Sequence, residues 1–162
     1  MPLETAQMLS TGQHVLLGKK VNVEKLYRKT HENHGCNVWI RESLSNYIWL
    51  CEYGIYLCEE YKFRYNREHA SRRVIDFCLK NSLPIIDKGI TPFYQAIKPQ
   101  YKLSTDGIEN YRNFYCAEKL ASFNSRYQRW DVNSWKNRSK PYWIERNQSF
   151  NQLLLLGLIE KR

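Results

Sequence analysis

The chain has 162 residues, with 25 Lys plus Arg against 16 Asp plus Glu and a net charge of +9. A hydrophobic fraction of 43%, with six Phe, five Trp and twelve Tyr, excludes a disordered or low-complexity chain, which would lack aromatics. A chain of this size buries roughly 70% of the surface its unfolded form exposes, so it needs no staples to fold.

Residues 3–17 predict a helix as far as Ser10, with Leu3, Ala6 and Leu9 on one face. Ser10, Thr11 and Gly12 are weak helix residues and are expected to bend or end it. Gly18 to Lys20 reads as a basic break, and residues 21–37 as a loop with few apolar anchors. The longest periodic segment follows, from Val38 to Tyr65. Leu44, Tyr47, Ile48, Cys51, Ile55, Cys58 and Tyr61 make a helical stripe with 3/4 spacing. Ser43 is the expected N-cap of its main part.

A shorter helix is expected from Glu68 to Asn81, turning Val74, Ile75, Phe77, Cys78 and Leu79 inward. Pro84, Gly89, Pro92 and Pro99 make residues 82–103 an irregular connection. Asp106 with Glu109 three residues later has the form of a capping box. The helix it opens would carry Ile108, Tyr111, Tyr115, Leu120 and Phe123. A basic, aromatic stretch with Trp130, Trp135, Tyr142 and Trp143 comes last. No segment alternates as a strand does, so the expectation is one compact all-α domain over residues 1–146 with a long irregular connection, and a separate tail over 147–162.

The longest apolar run, Leu153 to Ile159, is far short of the ~20 residues of a membrane-spanning helix. Cys36, Cys51, Cys58, Cys78 and Cys116 are odd in number and form no close CxxC pair. That pattern argues for buried reduced thiols and a reducing, cytoplasmic compartment, the host's if the source is viral.

Cations interleaved with aromatics point to nucleic acid, because cations neutralise phosphates and aromatic faces stack on bases. The densest polar cluster is Thr30-His31-Glu32-Asn33-His34, followed by Cys36, Trp39 and Arg41. Two histidines three apart are a weak metal signal, and no third ligand is evident, so no metal is expected. Arg64 lies four residues after Glu60, which offers a helical ion pair. Arg64, Tyr65 and Arg67 offer in addition a phosphate-tracking surface, and Arg112 lies in a further basic and aromatic group. No P-loop, dinucleotide-binding, HExxH or GxSxG pattern occurs. At the start of the chain, Pro2 and Glu4 have a simple structural account as a helix-opening proline and a first-turn carboxylate. They also have a chemical one, a terminal amine and a carboxylate to assist it.

Residues Thr30 to His69, THENHGCNVWIRESLSNYIWLCEYGIYLCEEYKFRYNREH, resemble a family of small phage proteins with the pattern THxNHxCxxWxRESxxNYxWLxxxGxxLCxEYxxRYxxxH. The similarity continues through Leu3 to Thr11, Thr91-Pro92-Phe93 with Ala96, and Tyr111 to Tyr115. The family is commonly described as similar to pyrimidine-dimer DNA glycosylases of the endonuclease V class. The resemblance implies an all-α enzyme that cleaves the glycosidic bond at a pyrimidine dimer and then nicks the backbone by β-elimination. The nucleophile of that class is the amine of the processed N-terminus, assisted by a glutamate seven residues after a histidine.

Glu4 matches that glutamate. The family's upstream segment, which reads like HCDKHVVKMI, does not precede Leu3 here, so the expectation is a truncated or degenerate copy, or a misplaced start. The Pro2 amine is the alternative nucleophile, as in the formamidopyrimidine class. His31, Asn33, His34, Trp39, Arg41, Arg64, Tyr65, Arg67 and Arg112 are the expected DNA contacts. The expected partner is double-stranded DNA, bound by a monomer without membrane or cofactor. Two alternatives stand beside it: a non-catalytic nucleic-acid-binding protein of the same fold, and an enzyme on a small substrate with a pocket at His31 and His34.

Overall fold

Two buried hydroxyl residues, Ser10 and Thr11, keep the first helix going where local propensity would end it. The computed structural model describes residues 2–119, 138, 139 and 141–144. In it α1 (Pro2–Leu17) runs unbroken through Ser10, Thr11 and Gly12. Ser10 Oγ donates to the Ala6 carbonyl at 2.7 Å and Thr11 Oγ1 to that of Gln7 at 2.8 Å. Each hydroxyl is thus satisfied inside the helix. Each also accepts an amide of the following loop, Tyr27 N–H at Ser10 and Thr30 N–H at Thr11. Tertiary hydrogen bonds therefore override the weak propensity that predicted an end at Ser10.

One 3₁₀ turn (Gly18–Lys20) and an irregular loop lead to the short α2 (Gly35–Trp39). The long helix α3 (Leu44–Tyr65) starts only after a turn, so the periodic segment from Val38 is two helices rather than one. Ser43 has the extended backbone of a cap, but its hydroxyl makes no capping bond. Asp87 Oδ1 does that work from outside. It accepts from Ser45 N–H at 3.1 Å, Ser45 Oγ at 2.6 Å and Ser43 Oγ at 3.0 Å. α3 closes on Asn66 in the left-handed region, its amide bonded to Lys62 O. α4 (Arg72–Lys80) is shorter than the predicted span.

Packing follows from the apolar faces. A Cβ on Gly12 would touch the Tyr47 ring, and one on Gly54 would lie 2.7 Å from Thr5 Cγ2, so α1 and α3 run antiparallel. Ala6 and Leu9 of α1, Tyr47, Leu50, Cys51 and Cys58 of α3, and Val74, Ile75 and Cys78 of α4 form the core. Phe77 and Leu79 only edge it. Gln13 is buried in this core and donates to Tyr47 Oη at 2.8 Å and Asn81 O at 2.6 Å. All five cysteines are free; Cys36 is half-buried and the others are buried. Burial pushes the Cys78 thiol up to about 11 and the Cys51 thiol well above its ordinary range.

Residues 82–94 form a strap without regular structure. It is fastened by Asp87, by the Trp39 indole donating to Thr91 O at 3.1 Å, and by the buried Asn46. The Asn46 amide donates to Thr91 Oγ1 and Trp39 O and accepts from Thr91 N–H.

The chain divides into two compact units, Met1–Tyr94 and Gln95–Arg162. In the second, a 3₁₀ turn (Pro99–Tyr101) precedes α5 (Gly107–Phe114), which continues into one π turn (Tyr115–Lys119). Asp106 caps α5 as predicted, accepting from Ile108 N–H at 2.8 Å. Glu109 does not complete a capping box, because Asp106 N–H donates to Ser104 Oγ instead. α5 buries Asn110 and Asn113 and leaves Ile108 exposed, opposite to the apolar expectation. Asn110 accepts from Leu103 and Ser104 N–H and donates to Gln95 Oε1 and Ser104 O. Leu120, Phe123, Trp130, Trp135 and the tail from 147 lie outside the described residues. Every regular element among the described residues is helical, so the fold is all-α. No helix among them is long and apolar enough to cross a membrane.

Two tests follow from these contacts. Gly54→Ala drives a methyl group into Thr5 and into Ile75 Cδ1, 3.0 Å away, and should cost about 1–3 kcal/mol in urea unfolding. The hydrogen bonds from Ser45, Gly89 and Ser43 hold the Asp87 carboxyl down at about 2. A carboxyl depressed in the folded state stabilises the fold above its ordinary value of 3.8 and loses that contribution as pH falls through about 2. Acid unfolding of Asp87→Asn should therefore lose a component of pH dependence between those two values that the parent retains.

Candidate nucleic-acid site

The amino-terminal end of α1 carries two of the expected site residues. Pro2 is its half-buried first residue, and Glu4 is an exposed carboxylate in its first turn, where the positive end of the helix dipole favours it. Because α1 and α3 are antiparallel with Thr5 beside Gly54, this end of α1 points toward the carboxy-terminal end of α3.

There the side chains form a compact aromatic and cationic group. The Tyr61 and Tyr65 ring centroids are 4.7 Å apart, and His69 meets Tyr61 edge-on at 4.7 Å. Arg67 lies over the Tyr61 ring at 5.8 Å, and its Nε donates to Tyr61 Oη at 3.2 Å. His69 Nδ1 accepts the Ser71 amide, which leaves Nε2 as the protonated nitrogen of the neutral ring. Burial, then the Arg67 charge and the positive charge of the chain's amino terminus, lower the His69 pKa.

The charges around this group are largely paired. Arg64 binds Glu60 at 2.6 Å, Lys62 binds Glu68 at 2.5 Å, and Arg72 binds Asp76 at 2.9 Å and also Glu59. Arg67 and Arg73 are exposed and enter no ion pair among the described residues.

The His31 segment sits elsewhere. Thr11 Oγ1 accepts the Thr30 amide at 3.2 Å, and Thr11 is seven residues from Glu4, about 10 Å along α1 on nearly the same face. His31 is exposed with φ of 47°, a conformation that strains a residue with a Cβ. Its carbonyl accepts the Asn37 amide at 2.8 Å, and its Nδ1 lies 2.6 Å from Thr30 Oγ1. Asn33 is exposed. His34 caps α2 through Cys36 N–H, and its ring meets Tyr94 edge-on.

Arg41 is committed to the backbone, donating to Asn37 O at 2.9 Å and Glu32 O at 2.6 Å. Trp39 is buried, its indole bonded to the strap. Asn37 is buried, and its Oδ1 meets no donor. It is an acceptor that a water or a bound group would satisfy. Among the described residues no group of three or more His, Cys, Asp or Glu is placed to hold a metal ion.

The predicted residues thus fall into three places. Arg64, Tyr65 and Arg67 gather at the α3 end, toward which Pro2 and Glu4 point. His31, Asn33, His34, Trp39 and Arg41 surround α2. Arg112 belongs to the second unit, where its guanidinium lies over the Trp143 ring at 5.5 Å. Sequence reasoning placed Tyr61 in the helical stripe and did not join it or His69 to Tyr65 and Arg67. The four-residue step from Tyr61 to Tyr65 was the available signal, and it does not extend to His69 because α3 ends at Tyr65. No family model, no curated protein and no solved structure matches the chain.

Neutralising Arg67 as Arg67→Gln removes the second of the causes that lower His69. The ring should then titrate at higher pH, still below its ordinary value because burial remains. A proton NMR titration of the histidine C–H signals measures this.

Proposed function

We propose that this chain is a DNA N-glycosylase and abasic-site lyase acting on damaged pyrimidines. The observation that carries the proposal is the orientation of the Glu4 end of α1 toward the Tyr61, Tyr65, Arg67 and His69 group. An amine, a carboxylate, a cation and flat aromatic rings are the parts that this chemistry uses.

In the proposed reaction the Pro2 amine, freed by removal of the initiator methionine, attacks the sugar C1′. The C1′–N bond breaks, and the base leaves with a proton. The Glu4 carboxylate stabilises the positive character that develops at C1′. The C1′–O4′ bond then opens, O4′ taking a proton from solvent, and the ring-opened iminium so formed acidifies the C2′ hydrogen. A base removes that proton, the 3′ phosphate leaves with its electron pair, and water releases the enzyme from the sugar. Arg67 neutralises phosphate near the break, and Tyr65, which is exposed, offers a face for a displaced base.

A second reading, DNA binding without catalysis, is favoured by a different observation. Trp39, Arg41, Ser43 and Asn46, all in the segment that carries the family resemblance, are committed to fastening loops.

Borohydride trapping on an abasic duplex separates the two. The first reading expects a covalent protein–DNA adduct, a reduction of at least about 100-fold in Glu4→Gln, and unchanged duplex affinity in that variant. Duplex binding without any adduct would establish the second.

A further inference from the structure

The cations that remain available for a partner are not those that the sequence motif emphasises. Arg41 is held by two carbonyls, Arg64 by Glu60, and Lys29 by Glu32 at 2.7 Å. Besides Lys80 and Lys88, six cations of the first unit, Lys19, Lys20, Lys25, Arg28, Arg67 and Arg73, are exposed and enter no ion pair among the described residues.

The fold brings these six into sequence along one path. Lys19 and Lys20 stand at the far end of α1, in the 3₁₀ turn opened by Gly18 at φ of +53°. The loop then returns along α1. It is tied there by Tyr27 N–H to Ser10 Oγ at 3.1 Å, by the His14 ring to Tyr27 O at 2.9 Å and by Thr30 to Thr11. This carries Lys25 and Arg28 back toward the α4 end. Tyr27 Oη meets Ser71 Oγ at 3.1 Å, which links the loop to the residue just before Arg72 and Arg73. Arg67 stands in the short connection between α3 and α4.

We infer that these six cations form a rail for the sugar–phosphate backbone of duplex DNA, running from the Glu4 end of α1 to its far end. This rests on the DNA reading above and adds a direction and a length to it. Helix α1 has 16 residues from Pro2 to Leu17, about 24 Å of rise, or roughly seven base pairs of duplex at 3.4 Å each. The protein therefore grips the duplex on one side of the reacting nucleotide rather than evenly about it. The rail reads no sequence, since phosphate contacts position a protein without specifying bases.

The test is the salt dependence of duplex binding by fluorescence anisotropy. Each phosphate neutralised adds about 0.9 to the slope of log affinity against log salt. Replacing Lys19, Lys20, Lys25 and Arg28 together by Ser should lower that slope by about three to four. Lys29→Ser, which removes a paired cation, should leave it unchanged. If the fourfold variant does not fold, the Lys19→Ser/Lys20→Ser pair should still lower the slope by about two.

At low salt and saturating duplex the variants should form the borohydride adduct at the parental rate. A parental slope in the variants, with duplex binding intact in the parent, overturns the rail and leaves the lyase reading standing. No salt-sensitive binding by the parent overturns both. A lowered slope without any adduct from the parent keeps the rail and removes the lyase.

Discussion

Ser10, Thr11 and Gln13 are buried in a helix that would be simpler to build from alanine and leucine. An unpaired buried polar group costs about 1–3 kcal/mol, so each must find a partner, and the partners arrange the first unit. Ser10 and Thr11 draw the loop from Tyr27 to Thr30 down onto α1. Gln13 reaches both the Tyr47 hydroxyl on α3 and the Asn81 carbonyl at the end of α4. One helix thereby fixes three other segments through directional bonds, while Ala6 and Leu9 on the same helix supply the non-directional burial. Apolar contact alone would hold the helices together without setting the position of the loop.

The other end of α3 is organised by the same logic with different residues. Helix starts leave amides without partners. Here the Ser45 amide is met by Asp87 across the strap. Asn46 uses both ends of its amide on Thr91, and Trp39 adds its indole N–H. Arg41 closes the turn between Glu32 and Asn37. The unusual residues of this stretch are thus explained first by the need to fasten irregular backbone. Their concentration is not by itself a sign of chemistry, and what remains exposed after the fastening is the more informative set.

Much of this is legible in the sequence, and the divisions are physical. The spacing of Tyr47, Cys51 and Cys58 shows α3, and Val74, Ile75 and Cys78 show α4, because apolar periodicity is local. The Asp106 cap and the Arg64–Glu60 pair are equally local and equally readable. Continuation of α1 past Ser10 is not readable, since it depends on amides that arrive from Tyr27 and Thr30. The partner of Ser43 is not readable either, because Asp87 lies 44 residues away. In the candidate site, Tyr65 and Arg67 are visible as residue types. Their assembly with Tyr61 and His69 depends on the left-handed turn at Asn66 that ends α3.

The strap from Ser82 to Tyr94 is held by side chains alone, with no helix or sheet ladder of its own. The Tyr94 ring occupies the space that a side chain at residue 35 would need, so that position accepts nothing larger than glycine while the strap is seated. Segments fastened in this way open below the free energy of global unfolding. Amide protons from Ile86 to Tyr94 should therefore exchange with solvent before those of α3. Each such opening would bare Gly35 and the Trp39 indole while the helices beneath stay folded, giving a protease its first foothold on an otherwise intact molecule.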